Sequence, residues 1–349
     1  MTRYCIILVV SLLTGCKKVP AQVITSEDLT ENQFFWKQKN KIEKATTDKD
    51  VFPKKIDSLQ TKEQRINRIY LRSSYCQYEL FVNDVLVSRT MGEITKGGGG
   101  ITGAMPINQN LMFSGVHEIK LRMYPKYPLL AFNNRGGTVS MNFYYFIDDL
   151  RNQTYNKKMG GEIGISIGES EYHKGEIRGA ENPPHKIEGL PVYEWRTTFE
   201  ASVPFEVEGW LNSINLKEEQ EEKKLKSELL LAYKELYKII AKRDVLAYLE
   251  AVKLRENRIS NAFYLTKEEQ EKRNAEFINL LEDKNYEMLP IAEETIVLEY
   301  QGYGKLGILS DVRDGEGIIR LRNKENPDEI VTLDFRFHRK KKGATLSVI

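Results

Sequence analysis

The sequence predicts an all-β sandwich followed by an α+β domain, on three observations. Between Ile66 and Trp210 apolar residues alternate with polar ones at a period of two, the pattern of half-buried strands. At Lys217 the composition changes abruptly to a charged run, after which apolar residues recur at helical spacing. After Pro290 the period returns to two. A chain of 349 residues has room for two such domains, placed at 62–212 and 216–349. That length buries proper cores without disulfide or metal support.

In the first domain Ile69 and Leu71 share one strand face, as do Tyr78, Leu80 and Val82. Asn83-Asp84 supplies a hairpin turn into Val85-Leu86-Val87. Further strands are carried by Ile119, Leu121 and Met123, by Val139, Met141, Phe143, Tyr145 and Ile147, by Ile163, Ile165 and Ile167, and by Trp195, Thr197 and Phe199. No amphipathic helix of useful length interrupts them, which predicts an antiparallel sandwich. The stretch with the Asn-Asp turn, then Pro106-Ile107-Asn108, then Gly115-Val116-His117-Glu118-Ile119-Lys120-Leu121, resembles jelly-roll modules of the galactose-binding type. This resemblance implies a fold and not a ligand.

The second domain opens with one amphipathic helix over 216–242, carrying Leu229, Ala232, Tyr233, Leu236 and Ile240. Arg243-Asp244 breaks it, and Asp244 caps a second helix bearing Val245, Tyr248, Leu249 and Val252. Thr266 and Glu269 form a capping box for a third, which runs through Phe277, Leu280 and Leu281. Strands follow over 295–300, 305–310, 317–322, 329–337 and 344–349, joined as an antiparallel meander of hairpins by turns such as Gln301-Gly302-Tyr303-Gly304 and Asp314-Gly315-Glu316-Gly317. This order of elements resembles the NTF2-like cone fold, whose members include small isomerases, dehydratases and non-enzymatic binding modules. The resemblance implies a cone lined partly by Tyr233, Tyr237 and Tyr248. No catalytic residue of that family has a matching motif here.

At the N-terminus Arg3 precedes an apolar run of about ten residues, too short for the roughly twenty that a membrane-spanning helix requires. The run ends in Leu13-Thr14-Gly15-Cys16, which resembles a bacterial lipobox. The resemblance implies that 1–15 is a signal peptide removed on export and that Cys16 is the lipidation site. Cys16 would be diacylated on its sulfur and acylated at its new N-terminus; two or three chains anchor stably where one does not. Lys17, standing where some lipoproteins carry a retaining aspartate, implies the outer membrane facing the periplasm. Residues 16–61 read as a polar tether, with Phe34, Phe35 and Trp36 docking on the body. Loss of Cys5 and acylation of Cys16 leave Cys76 as a lone thiol, which cannot close an internal disulfide and reads as a small core hydrophobe.

A formal charge of +2 gives no electrostatic reason to expect nucleic acid. Lys96-Gly97-Gly98-Gly99-Gly100 lacks the Lys and Ser or Thr that follow the glycines of a phosphate loop, so it reads as a flexible hairpin loop. Glu169, Glu171 and His173 alternate as metal ligands on a strand face would, yet they run into Pro183-Pro184-His185 and read as a solvated edge. No metal site, nucleophile elbow, catalytic residue or cofactor is expected. The basic tip at 338–343 reads as a solvated loop or a contact for an acidic partner or anionic headgroups. The expected function is therefore a lipid-anchored envelope protein that binds a protein or glycan partner without catalysis, as an immunity or assembly lipoprotein would. The alternative is a small-ligand carrier or enzyme using a cone cavity at Tyr233, Tyr237 and Tyr248, and sugar stacking would fall to Trp195 or Trp210.

Overall fold

The computed structural model describes residues 52–134, 136–146, 155–157, 164–169 and 187–349. Its first part holds ten described strands: β1 (Lys54–Lys55), β2 (Ile66–Ser74), β3 (Cys76–Val82), β4 (Val85–Thr90), β5 (Thr102–Pro106), β6 (Gly115–Pro125), β7 (Gly137–Phe146), β8 (Tyr155–Lys157), β9 (Gly164–Glu169) and β10 (Tyr193–Ala201). They form two antiparallel sheets. In one, β6 pairs with both β3 and β10, β4 lies beyond β3, and β1 adds a short pairing to the start of β6. The other runs β5, β2, β7, with β8 and β9 both on β7. Among the described residues the first strand is β1.

Alternation places Ile69 and Leu71 of β2 and Val139, Met141 and Phe143 of β7 in one buried cluster with Tyr78, Leu80 and Val82 of β3 and Ile119, Leu121 and Met123 of β6. Each such side chain stabilises the fold by about 1.5–3 kcal/mol through burial. The hairpin between β3 and β4 turns at Asn83 (φ 51°) and Asp84 (φ 59°), the paired left-handed conformation that a two-residue turn of matching twist requires. Half-burial, however, does not hold throughout: all of β3 is buried, and so are Glu118, Lys120 and Arg122 on β6. These charges persist inside because they are paired, Arg122 with Glu194 (2.6 Å), Glu118 with Arg196 (3.2 Å), and Lys120 with Asp84.

The second part holds α1 (Leu216–Glu219), α2 (Glu222–Ala241), α3 (Val245–Ala262) and α4 (Lys267–Glu282). The single helix expected over 216–242 is broken, with Gln220 and Glu221 extended. Leu216 and Leu225 would point about 180° apart on one continuous helix. Both are fully buried in the same core, and the break resets the phase that allows it. The two expected caps form: Asp244 accepts from Ala247 N–H (3.0 Å), and Thr266 and Glu269 complete the capping box.

Strands β11 (Tyr286–Met288), β12 (Ile296–Gln301), β13 (Leu306–Asp311), β14 (Ile319–Asn323), β15 (Ile330–Leu333), β16 (Phe337–His338) and β17 (Ser347–Val348) follow. They build two antiparallel sheets instead of one meander, β11-β14-β15 and β12-β13-β16-β17. The turn at 314–317 carries the chain from one sheet to the other, and the predicted strand 329–337 divides into β15 and β16. Leu333, Phe335 and Phe337 keep their inward alternation through that division while the pairing partner changes from β14 to β13. The helices close over both sheets in one core.

The two parts meet at their turns. Gly302 N–H and Tyr303 N–H, in the β12–β13 turn, donate to the backbone and side-chain oxygens of Asp84 (2.8 and 2.6 Å). Tyr303 hydroxyl donates to Glu118 (3.1 Å), and Arg336 donates to Leu86 O (2.9 Å). Val85, Met112, Trp210, Tyr303, Leu306 and Ile349 form an apolar cluster between them.

Candidate functional site

Cys16, the signal segment and the aromatic cluster Phe34, Phe35 and Trp36 lie outside the described residues, as do Glu171 and His173. Trp195 is half-buried and packs inward on the first core. Trp210 is fully buried at the junction. Tyr233 is fully buried: its hydroxyl donates to Phe335 O (2.6 Å) and accepts from Leu309 N–H (3.2 Å), and burial pushes its pKa up. Tyr248 is buried and Tyr237 half-buried in the same core. These tyrosines pack in the core between helices and sheets.

Other sequence features also turn inward. Cys76 is buried, and desolvation pushes its thiol up to about 12, which keeps it protonated and inert. In the basic tip Lys340, Lys341, Lys342 and Gly343 are exposed. His338 is buried against Ser213 (2.7 Å), and Arg339 is held by Glu219 and Glu228 (both 2.8 Å). The expectation of no nucleophile elbow needs a correction at the level of pattern, because Gly164-Ile165-Ser166-Ile167-Gly168 has the Gly-x-Ser-x-Gly spacing. The pentapeptide lies in β9, in regular register with β7 (Ser166 opposite Ser140), and not on the sharp strand-to-helix turn such a nucleophile requires.

What the fold does assemble is a cavity of about 200 Å³ at one end of the first part, lined by Tyr75, Pro125, Lys126, Leu129, Phe132 and Asn133 among others. Tyr75 sits between β2 and β3 with φ at 55°, a strained conformation for a bulky residue. Its N–H donates to Gly98 O (3.3 Å), and a Cβ at position 98 would lie 2.4 Å from its ring. A Cβ at Gly100 would lie 1.4 Å from Ser73 O. The glycine run is therefore packed against the β2–β3 turn, not a free loop: absence of side chains lets two backbones touch.

A chain of hydrogen bonds from β3 holds the remaining walls. Gln77 donates to Pro125 O (2.8 Å) and accepts from Gly92 N–H (2.8 Å); Thr95 accepts from Tyr127 N–H (3.0 Å) and donates to Gly92 O (2.9 Å). Phe132 is held by backbone bonds to Leu190 O and from Gly189 N–H, and its ring enters the core. Lys126 Nζ donates to Lys96 O (3.2 Å) and stands 5.9 Å from the Tyr75 ring centre. Leu129, which lines the cavity, is 37% exposed, and on the loops hydrogen-bonded to its walls Ile94, Leu130 and Leu190 are 59, 63 and 38% exposed.

No match to this chain is found among protein-family models, curated proteins or solved structures.

A second cleft of similar volume lies where α2 and α4 end, but Arg243 there is engaged by Leu281 O (2.8 Å) and Tyr286 O (3.3 Å), closing the end of α4. Among the described residues no group of three His, Cys, Asp or Glu side chains is placed to hold a metal, and no helix is long and apolar enough to cross a membrane. The loop-end cavity, at about 200 Å³, is below the size of ordinary small-ligand pockets. Sequence reasoning missed Tyr75, Lys126, Leu129 and Leu130; the apolar run Pro128-Leu129-Leu130 between two strands is the local signal that pointed to them.

Proposed function

We propose that this chain is a lipid-anchored protein of the bacterial envelope, facing the periplasm from the outer membrane, that binds a protein partner without catalysis. The anchor reading rests on the lipobox resemblance at Cys16 and the membrane assignment on Lys17. We read the first part as a β-sandwich of galactose-binding type and the second as an NTF2-like domain used for scaffolding.

The observation that carries the binding reading is the aliphatic rim. Exposed leucines scattered singly are ordinary, but Ile94, Leu129, Leu130 and Leu190 stand on loops hydrogen-bonded to one another, and Leu129 lines the cavity beside them. Such a patch suits the apolar centre of a protein interface. A glycan partner is less well served, because Trp210 is buried and Trp195 packs inward. The small-ligand reading finds its three tyrosines used in packing.

The test is a benzophenone photocrosslinker placed at position 190 in the intact envelope, with and without Ile94→Asp plus Leu130→Asp. A discrete crosslinked species that falls at least about tenfold in the double variant, with unchanged thermal stability, is the expected result. No crosslinked species in the otherwise unaltered chain, or one that survives both substitutions, refutes the reading.

A further inference from the structure

We propose that the loop-end cavity receives the carboxylate side chain of an acidic residue that the protein partner presents between aliphatic neighbours. This deepens, and rests on, the reading of the loop end as a docking surface. Lys126 is half-buried in the cavity wall, and one of its three donors is engaged by Lys96 O. The Tyr75 ring, 5.9 Å away, adds only a weak attraction. No carboxylate among the described residues lies within ion-pair distance of it. The buried cations of the neighbouring sheet differ: Arg89, Lys120, Arg122 and Arg196 each hold a carboxylate. Among the described residues Lys126 thus has no carboxylate counter-charge, and the cavity it lines has room for one side chain.

The surroundings select the occupant's class. A charge-assisted bond in a partly desolvated cavity is stronger than its counterpart on an open surface, and the rim of Ile94, Leu129, Leu130 and Leu190 offers apolar surface to whatever flanks the acid. An acidic sugar would satisfy Lys126 equally, but it would set hydroxyls against four aliphatic side chains and strip them of water without returning hydrogen bonds. An acidic residue with leucine-like neighbours meets both demands.

The full chain in lipid nanodiscs, methyl-labelled at Ile and Leu, is titrated with acetyl-Leu-Glu-Leu-amide, with acetyl-Leu-Gln-Leu-amide and with glucuronic acid. The Glu peptide is expected to shift the methyls of Ile94, Leu129, Leu130 and Leu190, to leave Leu298 and Leu309 of the second core unmoved, and to bind at least about tenfold tighter than the Gln peptide. Lys126→Gln should erase that tenfold difference while leaving the Gln-peptide affinity in place. Equal binding of the two peptides, or discrimination that survives Lys126→Gln, overturns the carboxylate proposal and leaves the docking surface standing. Glucuronic acid shifting the rim methyls where the Glu peptide does not overturns the peptide assignment. Absence of any shift with either peptide overturns the carboxylate proposal, while the docking reading stands or falls on the crosslink at position 190.

Discussion

Arg89 of β4 holds Glu299 of β12 across the junction of the two parts, with paired contacts of 2.5 and 3.1 Å. The same guanidinium engages Glu79 of β3 (2.6 and 2.9 Å) and the backbone oxygen of Gly315, and Glu79 also accepts from Tyr124 hydroxyl (2.7 Å). All three charges are nearly free of solvent. Burial works against the charge on Arg89, yet Glu299 and Glu79 hold its pKa above the ordinary value. The two parts are thus joined through a buried cluster of one cation and two carboxylates.

Arg89→Met keeps the bulk and removes the cation, leaving Glu79 and Glu299 buried side by side. A buried pair broken in this way loses about 3–5 kcal/mol. Urea unfolding at neutral pH should show that loss, whereas Lys238→Ala, which breaks an exposed pair with Glu235 (2.6 Å), should change stability by less than about 1 kcal/mol. An Arg89→Met protein as stable as the unaltered chain would show that the junction does not depend on this charge.

The glycine run supplies an internal contrast. A Cβ at Gly100 would collide with Ser73 O, whereas one at Gly99 meets nothing within 4 Å. Gly100→Ala should lower stability by about 1–3 kcal/mol, as overpacking does, and Gly99→Ala should stay within about 0.5 kcal/mol. Thermal unfolding of the two variants decides, and equal effects would remove the close-approach account of this loop.

Features set by a few adjacent residues were legible in the sequence, and features set by distant ones were not. Asp244 and Thr266 cap their helices, and Asn83 and Asp84 turn their hairpin, because each needs only its neighbours' backbone. Asp84 meeting Tyr303, or Arg89 meeting Glu299, joins residues 219 and 210 positions apart, and no periodicity encodes that pairing. The same packing explains why His338 and Arg339 left the basic tip: once Glu228 and Glu219 stand opposite, Arg339 becomes an interior ion pair. The cavity was hidden for a related reason. Tyr75 takes a conformation that glycine usually marks, and its walls come from separate loops that only the folded sheets bring together.

The anchor proposal makes its own prediction. Cys16→Ser removes the acylated sulfur and should move the protein from the membrane pellet to the soluble periplasmic fraction, with its unfolding transition unchanged. Retention in the pellet after high-salt washing would refute lipidation at Cys16.

Stability should also carry an unusual dependence on pH from Glu316. Burial, and next Asp334 and Asp314, raise its carboxyl from 4.5 to about 7. The folded chain therefore keeps a proton that the unfolded chain has already lost. The resulting stabilisation is full below about pH 4.5, declines as pH rises, and is gone once pH passes about 7. His117 and His338 act in the opposite sense: burial lowers both from 6.5 to about 4, so their contribution is full above 6.5 and is lost as pH falls towards 4. The two effects overlap between pH 4.5 and 6.5, and a single profile cannot separate them. The difference between Glu316→Gln and the unaltered chain can, because both carry the same histidines. That difference should move in favour of Glu316→Gln by about 1–3 kcal/mol between about pH 5 and pH 8, measured by urea unfolding at each pH. A difference that stays constant across that range would mean that Glu316 titrates alike in the folded and unfolded chains.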